Sequence, residues 1–266
     1  MSYVFRRYLV GLKPLLLFLV TLMLVHHQAL AVNLVESAPI GSWQVRETID
    51  VSPKGKQTGS TVKTSMIGKE ERDGELHYWI EMYATSFKVK KNGKRKKTGK
   101  PVVMKSLIPA SVLTDDPENV FNNLRAFGVE TIVQSGNEDP MRITKGNGFL
   151  ASVMSGTNME IKYNFEELGN ESVEVSAGKF SAKKMKGEGN ASMKVALRKY
   201  TIESTSTVWL SDDVPFGIVK LEGVTTTNGK TSSQTAELLE YSTSGAVSAI
   251  TKTPRDMPSI PNIFGG

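Results

Sequence analysis

From Trp43 to Val51 the chain reads WQVRETIDV, with Trp43, Val45, Ile49 and Val51 in one series and Gln44, Arg46, Thr48 and Asp50 in the other. Successive side chains of a strand point to opposite faces, so a period of two predicts a strand with one apolar and one polar face. MEIKYNFE repeats the pattern, setting Met159, Ile161, Tyr163 and Phe165 against Glu160, Lys162, Asn164 and Glu166. LHYWIEMY puts Leu76, Tyr78, Ile80 and Met82 inward and leaves His77, Trp79, Glu81 and Tyr83 on the face expected to meet water. The same reading predicts strands near 62–67, 86–91, 101–108, 129–134, 172–176, 179–186, 193–210, 216–226 and 235–242. Turn chemistry separates many of them at Pro53-Lys54-Gly55, Asp73-Gly74, Leu168-Gly169-Asn170, Ala177-Gly178 and Asn228-Gly229.

One segment changes period. In DDPENVFNNLRAFG, Asp116 can cap a helix, Pro117 suits its first position and Gly128 its stop. Val120, Phe121, Leu124 and Phe127 then form one apolar stripe, which predicts a helix over 117–127. A second short helix is expected near Phe149–Met154. The fold class that follows is mainly β: a strongly curved antiparallel sheet of some ten strands, an open or half barrel, with one or two covering helices. Residues 32–250 form the sheet domain in this reading. Residues 251–266 carry three prolines and no periodicity, so they read as a flexible tail.

A cup of this kind offers a concave face. The residues expected to line it are Trp43, Val45, Glu47, Tyr78, Ile80, Met82, Phe121, Leu124, Tyr163 and Phe165. Either they enclose an apolar pocket or they fill one another's space. Glu47 interrupts the inward series of its strand. A buried carboxylate is costly unless paired, so Glu47 meets a basic partner, lines a polar spot, or turns outward at a rim.

The first residues carry a different signal. Arg6, Arg7 and Lys13 precede an apolar run from Leu15 to Val25, and Ala29-Leu30-Ala31 supplies a small-x-small site. This order describes a signal peptide over 1–31 cleaved after Ala31, and the apolar run is too short to span a bilayer. There is no cysteine, so the chain has no disulfide and no acylated N-terminal cysteine. An exported domain without disulfides needs a large core, which suits a Gram-negative periplasm.

Charge sharpens the picture. The whole chain has 33 Lys and Arg against 27 Asp and Glu, a net +6. Three basic residues leave with the leader, and KVKKNGKRKKTGK at 88–100 holds eight more and no acid. The rest of the mature chain is net acidic. Asn92-Gly93 marks a turn, so Lys90, Lys91, Lys94, Arg95, Lys96 and Lys97 crowd the tip of a hairpin. Such a tip is either a solvated loop or a contact for an anionic membrane surface or envelope protein. A nucleic-acid partner is not expected of an exported chain whose body is acidic.

Little supports catalysis. His77 is the one histidine outside the leader, and read as an exposed strand residue it serves no triad. Gly146-Asn147-Gly148 lacks the rest of a phosphate loop. Asp212 and Asp213 precede Val214-Pro215 between two strand-like runs, so they read as a solvated turn. No enzyme activity, metal or cofactor is expected.

VEVSAGKF, followed by STVWLSDDVPFGIVKLEG, carries a resemblance. The positions are Val173, Val175, Ala177, Gly178, Lys179 and Phe180, then Val208, Trp209, Leu210, Ser211, Val214, Pro215, Gly217, Val219 and Lys220. They resemble a strand and hairpin of Gram-negative periplasmic half-barrel proteins of the lipoprotein-carrier (LolA/LolB-like) type. The resemblance spans about residues 172–223 and implies an open sheet that carries a lipid or other apolar ligand. A structural or adaptor role in an envelope assembly, through the basic hairpin and tail, is the alternative.

Overall fold

A computed structural model describes residues 38–113, 129–144, 160–195 and 198–257. Twelve strands form one sheet: β1 (Trp43–Val51), β2 (Gln57–Arg72), β3 (Glu75–Val89), β4 (Arg95–Pro109), β5 (Glu130–Ser135), β6 (Met141–Thr144), β7 (Glu160–Val175), β8 (Gly178–Val195), β9 (Arg198–Leu210), β10 (Ile218–Thr227), β11 (Lys230–Ser242) and β12 (Arg255–Asp256). A single helical turn, α1 (Ala110–Leu113), follows β4. The spatial order is β12-β6-β5-β4-β3-β2-β1-β11-β10-β9-β8-β7, so the curved sheet is open, with β12 and β7 as its edges. The mainly-β, curved antiparallel expectation holds.

Several expected strands are pieces of longer ones. The runs at 76–83 and 86–91 are both β3, and those at 159–166 and 172–176 both lie in β7. The expected turn at Leu168-Gly169-Asn170 is a bulge. Pairing with β8 shifts between Glu167 and Gly169, and Gly169 takes φ 99°. A glycine at positive φ lets one extra residue loop out while the ladder continues. Hairpin turns sit at Pro53–Gly55, Asp73-Gly74, Lys91–Gly93, Gly136–Glu138, Ser176–Ala177 and Asn228-Gly229. The strand at Met141–Thr144 carries only four residues, too few for a periodic signal. The expected helices over 117–127 and near 149–154 lie outside the described residues.

The stretch read as a tail begins on the sheet. Trp43 Nε1 donates to the Ser244 carbonyl, and Ala246 N–H to the Gly41 carbonyl. Glu81 accepts from Ser248 Oγ at 2.5 Å and from Ala249 N–H at 2.7 Å. Lys252 Nζ reaches the Asn137 carbonyl, and Arg255–Asp256 pair in parallel with Met141–Arg142. Residues 243–257 thus strap across the sheet from β1 to β6. Prolines do not forbid this, because an edge strand can tolerate a missing donor.

Ala38, Met66, Ile108, Val112, Leu113 and Phe216 form one buried cluster, so α1 closes against β2 and β4. The Ser211–Gly217 loop supplies Phe216. Asp212 and Asp213 are exposed, as a turn requires, but Val214, Pro215 and Phe216 are buried. Phe216 holds φ 64°, and Gly217 N–H donates to the Val214 carbonyl at 2.8 Å. The loop is therefore a plug whose aspartates stay in water. At the other end, Phe180 packs on Tyr241 with ring centroids 6.0 Å apart. Ala177 N–H donates to Leu238 there, so the β7–β8 hairpin turn docks on β11.

Candidate functional site

Register assigns each side chain to a face. Val45 pairs with Lys63, and Lys63 with Tyr83; Gln44 pairs with Thr64, and Thr64 with Met82. Directly opposed residues share a face, so the expected pocket set divides. Trp43, Val45 and Glu47 occupy one face. Tyr78, Ile80 and Met82 occupy the other, with Gln44, Arg46 and Thr48. Phe165 joins this second face through the row Asp50, Gln234, Gly223, Ser206, Gly187, Phe165. Phe121 and Leu124 lie outside the described residues, as does the side chain of Tyr163. Trp43, Val45 and Glu47 therefore share no wall with Tyr78, Ile80 and Met82, because the pairs that relate them, Val45–Lys63–Tyr83 and Gln44–Thr64–Met82, lie where the ladders carry no register shift.

The Trp43 face is closed by its own cations. Lys63 Nζ sits 4.1 Å from the Trp43 ring centre, Lys105 Nζ 4.9 Å from Trp79, and Lys220 Nζ 5.0 Å from Trp209. Each tryptophan also spends its N–H: Trp43 on Ser244, Trp79 on Glu70 and Trp209 on Glu171. An indole with its face under a lysine and its donor engaged is a structural cover. Glu47 finds its basic partner here. Arg95 grips the carboxylate with both terminal nitrogens and lies 5.0 Å from the Phe87 ring. One of the six basic residues expected at an anionic contact is thus held by the sheet. Lys90, Lys91, Lys94, Lys96 and Lys97 remain exposed around the Lys90–Lys94 turn.

The opposite face reverses an expectation. Gln44, Arg46 and Thr48 form the polar series of β1, yet all three are buried, at 0%, 6% and 5% exposure. Ser42 continues the row at 0%. Among the described residues, Ser42 Oγ and both polar atoms of the Gln44 amide have no hydrogen-bond partner. No carboxylate pairs with Arg46 among the described residues. Burial alone pulls its guanidinium down to about 10, well below the ordinary range of an arginine. Asp50, further along the row, is pushed up by burial and partly held back by the Gln234 amide at 2.7 Å.

Around this polar row the lining is apolar or small. Val62 and Leu238 flank Arg46 on the neighbouring strands, and Ala236, Leu221 and Val208 continue the row of Thr48. Gly187, Gly189 and Ser206 pave the sheet further along and are buried. Nothing local distinguishes this polar row from a solvated one, which is why sequence reasoning placed it in water.

His77 also departs from expectation. It is 3% exposed, and its Nδ1 lies 2.8 Å from the Glu75 carbonyl. It faces Pro109 across β4 and Glu70 across β2. A carboxylate–guanidinium chain runs past it through Glu70, Arg72, Glu130, Arg142 and Asp256, from β2 to β12. That chain ties the strap's end to the sheet. Among the described residues, no helix is long and apolar enough to cross a membrane.

No protein-family model and no curated protein matches this chain. Among solved structures, it is similar to a candidate exported protein with a YmcC-like fold from Bacteroides fragilis. That likeness has 17% identity and a TM-score of 0.37, over 77% of this chain and 97% of the other. A candidate lipoprotein from Parabacteroides distasonis gives 15% identity and a TM-score of 0.38, over 77% and 96%. At those scores neither likeness establishes a common fold, and nothing functional passes from them to this chain.

Proposed function

We propose that this protein is an exported, non-enzymatic binding or carrier protein that holds an apolar or lipid-like molecule against the Arg46 face of its sheet. The observation that carries the reading is the lining of that face. Val62, Val208 and Leu221 stand beside Ala236, Ser206, Gly187 and Gly189 on an open, curved sheet. Small residues on a covered face let a bound chain approach the backbone closely, and an open sheet can admit it. The leader over 1–31 supports delivery to the periplasm. The absence of cysteine and the burial of the only histidine outside the leader support a role without chemistry.

Native mass spectrometry of the full chain expressed with its leader and purified from the periplasm tests the reading. A bound mass that organic extraction removes is the expected result. A bare polypeptide mass, with no lipid in the extract, would overturn it. A second reading, in which the protein docks to an anionic envelope surface, rests on the exposed Lys90, Lys91, Lys94, Lys96 and Lys97 at the tip of the β3–β4 hairpin, and the two can act together.

A further inference from the structure

We infer that Arg46, with Gln44 beside it on β1, anchors the acidic head of an amphiphile. The inference rests on the carrier reading and specifies its ligand: one end an oxyacid anion, the other an alkyl chain. Three observations lead there. Arg46 is almost wholly buried, at 6% exposure, and no carboxylate among the described residues forms an ion pair with it. Gln44, two residues away on the same face, is fully buried, and its Nε2 and Oε1 have no partner among the described residues. Apolar side chains continue from them on either side, Val62 on β2 and Ala236 and Leu221 on β11 and β10.

A buried charge without a counter-ion is among the least stable arrangements a core can hold. Pairing it with an oxyanion removes that instability. The guanidinium fork matches a carboxylate or phosphate through two parallel N–H donors, and the Gln44 amide adds a third. Elsewhere the sheet neutralises its arginines internally: Arg72 and Arg142 meet Glu130, and Arg95 meets Glu47. Arg46 alone among the arginines of β1 to β6 is left for something from outside. The alkyl part would then lie along the apolar rows, since the neighbouring polar groups are engaged; Asp50, for one, is held by Gln234.

The chemistry is shared by a free fatty acid and a phospholipid phosphate, so the test carries both. Binding of dansyl-undecanoic acid, its methyl ester and dodecyl phosphate to the purified, delipidated full chain is measured by fluorescence and competition. The wild type is expected to bind the acid about tenfold or more tightly than the ester, the scale of a charge-assisted hydrogen-bond pair. Preference for the carboxylate points to a fatty acid, and preference for dodecyl phosphate to a phospholipid. Arg46→Met should bind acid and ester alike, and its ligand-free melting temperature should stay level or rise, because an unpaired charge has gone. Equal binding of acid and ester by the wild type would overturn the inference and leave the carrier reading standing. Failure of every probe to bind would overturn both. If Arg46→Met does not fold, the wild-type comparison together with Gln44→Leu decides: an undiminished acid preference in Gln44→Leu removes Gln44 from the anchor, and a wild type without preference removes Arg46.

Discussion

Glu70 and Arg46 show how the same strand chemistry is tuned in opposite directions. Glu70 is held below the usual carboxylate range, first by the Trp79 N–H at 2.9 Å and then by Arg72. A carboxylate depressed in the folded state contributes stability above its unfolded value of 4.5, and that contribution is lost as pH falls through the folded value. Glu70→Gln should therefore melt below the wild type at neutral pH, by less than about 1 kcal/mol for a partly exposed pair. The gap should close as pH drops below 4.5. Melting curves across that range check it, and a gap independent of pH would remove the electrostatic account. Arg46 carries the reverse sign. Its folded value of about 10 lies below the ordinary arginine range, so at neutral pH the destabilisation is complete, and it is relieved only as pH rises above about 10. Gly59 is a residue whose necessity appears only in three dimensions. A Cβ there would lie 2.5 Å from the Phe87 ring and 2.6 Å from the Thr48 carbonyl. The ring crosses the glycine to reach β1, in the place a side chain would take.

The β3–β4 hairpin is two things at once. Its base belongs to the sheet, where Arg95 pairs with Glu47, whose side chain is only 14% exposed. Its tip is a cluster of exposed lysines that repel one another. Replacing Lys90, Lys91, Lys94, Lys96 and Lys97 by Gln should leave the melting temperature level or slightly higher. Binding to vesicles rich in anionic lipid should be lost, and wild-type binding should fade as salt shortens the Debye length. Arg95→Gln should do the opposite, lowering the melting temperature while sparing most of the vesicle binding. Equal vesicle binding by wild type and the five-fold variant would show the tip to be a solvated loop. The charge run was legible in the sequence; the role of Arg95 was not, because Glu47 lies 48 residues away.

At the scale of the molecule, the longest-range pairing is the central one. β1 pairs with β11, joining Trp43 to Ser242, and β11 sits between β1 and β10. Such non-local pairing must form late, since loop closure precedes any gain from the ladder. A chain ending at Asn228 would leave β1 and β10 as facing edges with nothing between them. It should show no cooperative melt and a weakened strand signal in far-ultraviolet circular dichroism. A cooperative transition in that fragment would mean that the β1–β6 half folds by itself. The edges of the whole sheet are managed differently. β12 has only two residues, and β7 carries Glu160, Lys162, Glu166, Glu167, Glu171 and Glu174 along its length. Short and charged edges resist pairing with a second molecule.

Period-two alternation, turn residues and charge runs are properties of neighbours in the chain. From them alone most of the strands, though not β6 or β12, the turn at Asp212-Asp213, the basic hairpin and the curved antiparallel sheet could be read. Alternation separates the two faces of a strand but does not say which one is covered. That depends on segments far away in sequence: the 243–257 strap over Glu81, α1 and Phe216 against Met66, and the pairing parity that sends Trp43 and Met82 to opposite sides. Gln44, Arg46 and Thr48 look solvated in WQVRETIDV, because a polar series beside an apolar one is the usual mark of a surface. Only the tertiary structure buries them, and only there does an arginine with no carboxylate partner among the described residues become visible.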